Sequence, residues 1–408
     1  MKKHKRFYGQ TTILFVSILL LLLAGCGSDT DTQYSYQPPE QMSDDLDVGT
    51  VEEVNIDSAL LEQAVDEIES GRFGEVHALL IFKDDKLVFE EYFPGHLYAW
   101  DGPNHHGAWV NYDPDREHNI HSVGKSITSA SVGIAIEAGF IESVEQSIFE
   151  YLPEYQHLNT DGKDEITIEH LLTMTSGLEW EEWDVPYSNA ENDVIRLWME
   201  CDDQVECILE VPLVSKPGQT FTYSGGNMIL LGEIVKNATG RDMEAFANEY
   251  LFAPLGIDPV EWVRFDSGVI YAGGDQELTP REMVKFGVTY LNNGVWAGQQ
   301  MVSADWVEHS ATPYPGPDNS WLNNALRPIP PGNGIWGQRG YAYTWYTHDF
   351  SEAGEALPAY WADGWGGQEI VVFPEQDAVV VFTGGNYTSA PSAFRILQEY
   401  VFPALISG

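Results

Sequence analysis

The most informative run in this chain is His121-Ser122-Val123-Gly124-Lys125-Ser126. The small residues that follow predict a helix from Ser122 to about Ala138, so Ser122 and Lys125, three positions apart, share one helix face. Free N–H groups and partial positive charge at a helix N-terminus favour a developing oxyanion and the neutral form of a buried lysine. The stretch therefore predicts Ser122 as a nucleophile and Lys125 as its base.

This stretch has two other interpretations. A serine and a lysine at an ordinary exposed helix start have the same spacing, and S-x-x-K alone occurs by chance about once in a chain this long. The run Gly124-Lys125-Ser126 also matches the tail of a phosphate-binding loop. That motif needs a glycine at position 119, where this chain has Asn119, so the spacing excludes a nucleotide site.

Two further motifs follow along the chain. Residues 217–227 read Pro-Gly-Gln-Thr-Phe-Thr-Tyr-Ser-Gly-Gly-Asn, which places Tyr223 just before a glycine-rich helix entry. A tyrosine near a Ser–Lys pair could relay a proton to a leaving group, although a tyrosine packed in the core is the alternative. Residues 364–368 read Gly-Trp-Gly-Gly-Gln and lead into an apolar run. Glycines at a strand start permit close approach of a substrate, and the free N–H groups there could supply half of an oxyanion hole; the alternative is a tight turn.

With these three motifs in this order, the chain resembles the serine β-lactamase-like hydrolases. That family includes class C β-lactamases, DD-peptidases of the penicillin-binding-protein type, esterases and 6-aminohexanoate-dimer hydrolases. The resemblance covers roughly Glu75 to Ala404 and is supported by residues 168–178, 278–287 and 341–345. It implies the nucleophile Ser122, the base Lys125, the second acid/base Tyr223, an oxyanion hole from the backbone N–H groups of Ser122 and Gln368, and the substrate-binding residues Trp365, Gly366 and Gly367.

This chain departs from the family pattern at two positions. Trp365 stands where related enzymes carry a cationic residue or histidine, so a substrate carboxylate loses its partner. Gly225 stands where Y-x-N enzymes carry an asparagine, so the side-chain amide contact is lost. The resemblance therefore implies a hydrolase of neutral esters or linear amides. The alternatives are a β-lactamase or DD-peptidase, and a catalytically inactive envelope protein on the same fold.

The apolar pattern predicts the fold class without reference to the motifs. Short β-rich runs occur at residues 77–82, 86–89, 369–373 and 378–382, and helical patterns occur at 56–70, 168–174, 227–236, 280–292 and 392–404. Strands at both ends with helices between them predict an α/β (α+β) domain over residues 51–408. Its central antiparallel sheet is expected to come from both chain ends, with flanking helices and a mainly helical lobe from the middle.

The N-terminal residues have the pattern of an export signal. A basic start is followed by the apolar run Ile13–Leu23, which is short for a transmembrane helix, and then by Leu23-Ala24-Gly25-Cys26. This resembles a bacterial lipobox, the alternative being an ordinary secretory signal. We therefore expect a signal peptide over 1–25, lipid attached to Cys26, a flexible acidic tether over 26–50 and a location at the cell envelope, on the periplasmic or outer-membrane side or the cell surface.

Charge and cysteine content limit the partners. The formal net charge of -43 repels nucleic acid and disfavours anionic substrates. The predicted partners are a small-molecule ester or amide and, through the lipid, the membrane. Cys201 and Cys207 either pair or, if residues 203–209 are helical, point apart and stay free. Neither has a second cysteine or a histidine at ligand spacing, so no metal and no cofactor is expected.

Overall fold

The apolar runs at the two ends of the chain meet in one antiparallel sheet in the computed structural model, which describes residues 33–314, 340–352, 355–389 and 393–406. The strands in this part of the chain are β1 (Val76–Lys83), β2 (Lys86–Tyr92), β3 (Gly95–Tyr98), β4 (His106–Val110), β5 (His118–Asn119), β6 (Glu277–Leu278), β7 (Val295–Trp296), β8 (Gln299–Gln300), β9 (Gly340–Ala342), β10 (Trp345–Glu352), β11 (Glu355–Gly364), β12 (Gln368–Phe373) and β13 (Ala378–Gly384).

Among the described residues, the large sheet has seven strands in the order β2-β1-β13-β12-β11-β10-β9. Strand β1 pairs with β2 through a tight turn at Asp84 and Asp85, whose φ angles of 50° and 63° suit the right-handed twist of a two-residue hairpin. On its other side β1 pairs antiparallel with β13. The first and last strands are therefore neighbours, which confirms the predicted fold class.

Helices lie before, between and after the strands. They are α1 (Ser58–Glu69), α2 (Gly124–Glu137), α3 (Ile168–Leu172), α4 (Asp193–Met199), α5 (Gln204–Glu210), α6 (Gly225–Thr239), α7 (Met243–Ala247), α8 (Pro280–Leu291), α9 (Ala304–Ala311), α10 (Ala393–Ile396) and α11 (Phe402–Ile406). Glycine 287 of α8 packs directly on the sheet, because a Cβ there would lie 2.6 Å from Val379 Cγ1. The predicted helices at 56–70, 227–236 and 280–292 correspond to α1, α6 and α8.

The segment before α1 differs from the predicted flexible tether. The ring of Tyr36 stacks on Phe89 with centroids 6.1 Å apart, and its hydroxyl donates to the Val88 carbonyl at 2.8 Å. Leu46 is buried, and Asp44 pairs with the buried Arg281 at 2.9 Å. A few apolar side chains in an otherwise polar segment bury enough surface to hold it on the domain. The packed chain therefore begins ahead of the predicted boundary at residue 51.

Cys201 and Cys207 form a disulfide, with Cα atoms 6.2 Å apart. Residues around Cys207 are helical, yet the thiols do not point apart as expected for a helical segment. Helix α5 begins only at Gln204, after the cap residue Asp203, so Cys201 lies in the preceding turn and reaches back to the helix.

The signal peptide predicted over residues 1–25 and the lipid attachment site predicted at Cys26 lie outside the described residues. Within the part of the chain that the structure describes, no helix is both long and apolar enough to span a bilayer.

Candidate active site

Ser122 lies at the entry to α2. It belongs to a short 3₁₀ turn, His121–Val123, and the α-helix itself begins at Gly124. His121 has a left-handed φ of 46°, a strained conformation for a residue with a side chain. Two hydrogen bonds hold it: its N–H donates to Asn119 Oδ1 at 2.8 Å, and its Nδ1 lies 2.9 Å from Asp275 Oδ1. The turn therefore presents Ser122 in one fixed orientation ahead of the helix.

Small residues allow α2 to lie in the protein interior together with the charged side chain of Lys125. Nearly all of the helix is buried, Lys125 included, which is 2% exposed. A Cβ at Gly124 would lie 1.8 Å from Gln276 Oε1, so only glycine permits this close approach of the helix start to its neighbours. The predicted pairing of Ser122 with Lys125 on one face thus occurs in the protein interior and not on an exposed helix start.

Lys125 and Ser122 are in direct contact. Lys125 Nζ lies 2.9 Å from Ser122 Oγ and donates to the carbonyl of Gly273 at 2.7 Å. Burial lowers the pKa of the Lys125 ammonium, although nearby carboxylates, Glu182 foremost, oppose that shift. The lysine is therefore held where it can exchange a proton with the serine hydroxyl.

Tyr223 completes a cluster with these two residues, which we name the Ser–Lys–Tyr cluster (Ser122, Lys125 and Tyr223). Lys125 Nζ lies 4.9 Å from the centre of the Tyr223 ring, and the Ser122 hydroxyl is near enough to act on the pKa of the phenol. Burial and the charge of Glu182 raise the pKa of the phenol well above its usual value, and the interaction with Ser122 opposes this. Tyr223 therefore stays protonated at ordinary pH. It is buried, as in the alternative interpretation, but it also faces the serine.

The backbone around Tyr223 is fixed from both sides. The N–H of Thr222 donates to the Met174 carbonyl at 2.7 Å. Ser224 caps α6, its side chain accepting from the N–H of Asn227 at 3.2 Å. The tyrosine thus stands between a paired loop and a capped helix, both of which limit its movement.

Glu182 is a site residue that the sequence analysis missed. This carboxylate is 2% exposed and accepts hydrogen bonds from Trp180 Nε1 at 2.8 Å, from the Tyr187 hydroxyl at 3.0 Å and from the N–H of Gly225. A Cβ on Gly225 would lie 3.1 Å from Glu182 Oε2. At the position where Y-x-N enzymes carry an asparagine, this chain therefore has the backbone N–H of Gly225, which donates to a buried carboxylate. Glu182 belongs to the run Trp180-Glu-Glu-Trp183, in which nothing distinguishes it from its neighbour Glu181.

The glycine-rich turn at 364–368 lies against the segment that carries Ser122. A Cβ at Gly364 would lie 2.3 Å from the carbonyl oxygen of Ile120, so the end of β11 reaches this segment only because residue 364 is glycine. Gly366 and Gly367 have φ angles of 93° and 101°. The buried Gln368 anchors the start of β12, its Nε2 donating to the Gly384 carbonyl at 2.7 Å. The oxyanion-hole role of its N–H and that of Ser122 stays a prediction.

Trp365 is the centre of an aromatic wall. Its indole N–H donates to the carbonyl of Tyr387 at 2.9 Å, so this single donor is already engaged. The rings around it, with centroids 4.8–6.2 Å from the indole, are Tyr98, His105, His121, Tyr187 and Tyr387. Two of these residues come from the β3–β4 region, which the sequence analysis did not predict as strands. The wall offers aromatic surface where a substrate carboxylate would need a cation.

Comparison with known proteins identifies the family of the chain. A family model described as Beta-lactamase matches residues 65–399. The 6-aminohexanoate-dimer hydrolase of Paenarthrobacter ureafaciens is 30% identical over 207 residues, which are 49% of this chain and 52% of that protein. Esterase EstB of Burkholderia gladioli is 27% identical over 146 residues, which are 34% of this chain and 36% of that protein. The matches thus span about half, or less, of the length of these two curated relatives.

A solved structure also resembles the chain over most of its length. Unliganded simvastatin synthase from Aspergillus terreus superposes with a TM-score of 0.63 at 17% sequence identity, covering 86% of this chain and 99% of that one. At this identity the likeness shows the shared fold alone.

Proposed function

Because this chain belongs to the beta-lactamase family of hydrolases, we propose that it hydrolyses neutral carboxylic esters or linear amides through an acyl-enzyme on Ser122. The observation that carries the proposal is the contact of 2.9 Å between Ser122 Oγ and the buried Lys125 Nζ, with the buried Tyr223 phenol beside the same two residues. A nucleophile, a desolvated base and a second proton carrier in mutual contact are what acyl transfer requires.

In the proposed acylation, neutral Lys125 takes the proton of Ser122 as Oγ attacks the carbonyl carbon. The oxyanion that forms is bound by the backbone N–H groups of Ser122 and Gln368, which stabilise the tetrahedral intermediate. Tyr223 passes a proton to the departing alcohol or amine, and the proton now on Lys125 replaces it. In deacylation, water takes the place of the leaving group, and the acid is released as Ser122 regains its proton.

The surroundings of the cluster support an uncharged substrate. The carboxylates of Glu182, Asp275 and Asp363 act electrostatically on Lys125, and the net charge of -43 adds a repulsive field outside. A buried anion without a partner costs several kcal/mol, and Trp365 offers no cation. An apolar acyl group, an alcohol group or a methylene run suits the aromatic wall.

The proposed setting of this activity is the cell envelope. The run Leu23-Ala24-Gly25-Cys26 after a short apolar segment supports cleavage before Cys26 and attachment of lipid to its thiol. Mass spectrometry of the mature protein tests this. A diacylated N-terminal Cys26 is the expected product, and a soluble product that lacks Cys26 would remove the anchor.

A substrate panel tests the function. The wild type is assayed on a short-chain p-nitrophenyl ester, a linear amide and nitrocefin, and is labelled with a fluorophosphonate. We expect ester or amide turnover and a label on Ser122, both lost in Ser122→Ala. Ser126→Ala, which removes another buried hydroxyl of α2 bonded to the Thr344 carbonyl, is the matched control and keeps both.

The same panel separates the alternatives. Nitrocefin turnover as fast as ester turnover would make the protein a β-lactamase or DD-peptidase in type. A folded wild type without label and without turnover on any substrate would make it a binding protein. Either result overturns the proposal.

A further inference from the structure

A second polar cluster, partly open to solvent, lies outside the Ser–Lys–Tyr cluster. It consists of Glu75, which directly precedes β1, His96 of β3 and His106 of β4, and we name it the Glu–His–His cluster. One ligand atom from each of the three side chains lies within 4.8 Å of the other two. We propose that this cluster binds a divalent transition-metal ion, with Zn²⁺ as the ion to be tested. The proposal is independent of the proposed hydrolase function.

The distances are close to those of a bound ion. Glu75 Oε1 lies 2.7 Å from His96 Nδ1 and 3.7 Å from His106 Nδ1. Ligand atoms 2.0–2.1 Å from a tetrahedral zinc are about 3.3 Å apart. Small side-chain movements therefore bring these three atoms around one ion.

Hydrogen bonds outside the cluster orient His106. Its Nε2 lies 2.8 Å from the carbonyl oxygen of Gly385, which can only accept, so Nε2 carries the hydrogen. In the neutral ring, Nδ1 then presents its lone pair toward Glu75 Oε1. A histidine held by a backbone carbonyl in this way is the usual outer arrangement of a metal-ligating imidazole.

Glu75 is held equally firmly. Its Oε2 accepts from the N–H of His96 at 2.9 Å and lies 3.3 Å from His77 Nε2, which leaves Oε1 to face the two rings. Its backbone is fixed by the loop after β13, because the Glu75 carbonyl accepts from Gly385 N and from Asn386 Nδ2, both at 3.0 Å. The carboxylate is therefore in position before any ion arrives.

Exposure and donor chemistry favour an exchangeable transition metal. The side chains are partly open to solvent, Glu75 and His106 at 21% and His96 at 31%, so water can complete the coordination. Two imidazoles with one carboxylate suit zinc and its first-row neighbours, whereas calcium and magnesium prefer all-oxygen sites. The net charge of -43 also concentrates cations near the surface.

One ring must rotate for binding. The imidazoles of His96 and His106 are stacked with centroids 4.3 Å apart and planes 6° apart, whereas the lone pairs of two ligands converge on an ion. His96 is the more exposed ring, and its tilt would change the edge contact with Trp109, whose ring centroid lies 4.8 Å away. Zinc binding is therefore expected to exchange a stacking contact for two coordinate bonds.

Zinc at this position would join three parts of the fold: the residue before β1, both strands of the β3–β4 hairpin and, through Gly385, the loop after β13. The same hairpin region carries Tyr98 and His105, which contact Trp365. The ion would thus stiffen one side of the aromatic wall.

The experiment uses the full chain, purified without a polyhistidine tag and freed of metal with a chelator. Zn²⁺ is titrated calorimetrically and counted by elemental analysis, and Co²⁺ serves as a spectroscopic probe. We expect one ion per chain, and a rise in Tm of about 3 °C at a hundredfold excess of zinc over Kd. His96→Ala and His106→Ala should each weaken binding at least about tenfold.

Two further variants serve as a control outside the cluster and as a conservative substitution within it. His157→Ala removes a histidine with a 59% exposed side chain outside the cluster and should bind zinc as the wild type does. Glu75→Gln keeps the side-chain size and should also lose affinity, and circular dichroism verifies that each variant folds. Equal zinc affinity in wild type, His106→Ala and Glu75→Gln would show adventitious zinc only. That result, or no stoichiometric binding by the wild type, overturns the proposal whatever the ester assay gives.

Discussion

The Ser–Lys–Tyr cluster and the Glu–His–His cluster are built in opposite ways. Ser122 and Lys125 are one helical turn apart in sequence, and the lysine is sealed inside the domain at 2% exposure. Glu75, His96 and His106 come from three separate segments and stay partly open to solvent. Burial shifts pKa values and orders the groups that transfer protons, whereas an open cluster can exchange a bound ion. The difference indicates that one cluster is suited to chemistry and the other to reversible binding.

Trp365 connects the two regions. Its indole contacts His121, the residue before the proposed nucleophile, and His105, which follows β3 on the way to β4. Changes in the hairpin are therefore expected to reach the substrate wall before they reach Ser122. Substitutions in the Ser–Lys–Tyr cluster are expected to change turnover and to leave zinc binding unchanged.

Lys125→Ala should lower kcat/KM for an activated ester by at least about 10⁴-fold, because base and nucleophile act as a unit. Zinc stoichiometry should not change. Lys285→Met, which removes another lysine buried at 2% and bonded to backbone carbonyls, is the control and should keep kcat. Steady-state kinetics and metal analysis of both variants decide the matter; ester turnover near wild type in Lys125→Ala would contradict the mechanism.

Tyr223→Phe should reduce the rate by roughly 10²–10⁴-fold, the usual contribution of a positioned acid/base. Its matched control is Tyr360→Phe, which removes a hydroxyl of β11 that donates to the carbonyl of Tyr290 in α8. The control should lose stability and not turnover. If both variants lose activity equally, Tyr223 acts through packing alone.

The wild type should hydrolyse a short-chain neutral ester with kcat/KM at least about 10²-fold above that for nitrocefin, roughly 2.7 kcal/mol of transition-state discrimination. Trp365→Lys should narrow this gap, because it adds a cation and removes aromatic surface. Kinetics of both proteins on both substrates measure the change. An unchanged gap would show that Trp365 does not select against anionic substrates.

The pH profile tests the burial of Lys125. The base acts in its neutral form, and burial lowers its pKa. Activity should therefore be full above that pKa and fall about tenfold per pH unit below it, with a midpoint beneath the ordinary lysine value of about 10.4. The raised pKa of Tyr223 means that this residue adds no alkaline limb near neutrality. A midpoint at or above the ordinary lysine value, or a rate that falls as the pH rises through the neutral range, would contradict the assignment of a buried, neutral Lys125 as the base.

The elements that could be predicted from the sequence are those set by patterns of neighbouring residues. The Asp84-Asp85 turn between apolar runs identified the first hairpin, and the run of small residues after Ser122 identified α2, because both depend on neighbours in sequence. The average composition of a segment was a weaker guide, because a few apolar side chains can hold a mostly polar segment on the domain. Tyr36 and Leu46 anchor a stretch whose overall polarity indicated a tether.

The family, the antiparallel sheet shared by both chain ends and the one-turn spacing of Ser122 and Lys125 can be read from the amino-acid sequence. The surroundings of these residues emerge only in the folded protein: the Gly273 carbonyl accepts from Lys125, the buried carboxylate of Glu182 faces Gly225, and Glu75 meets His96 and His106. The two groups of features differ in the sequence separation of the contacts that create them. Helix and hairpin patterns are set by side chains a few positions apart, whereas backbone acceptors, buried charges and ligand clusters arise from contacts between segments whose separation leaves no periodic trace in the chain.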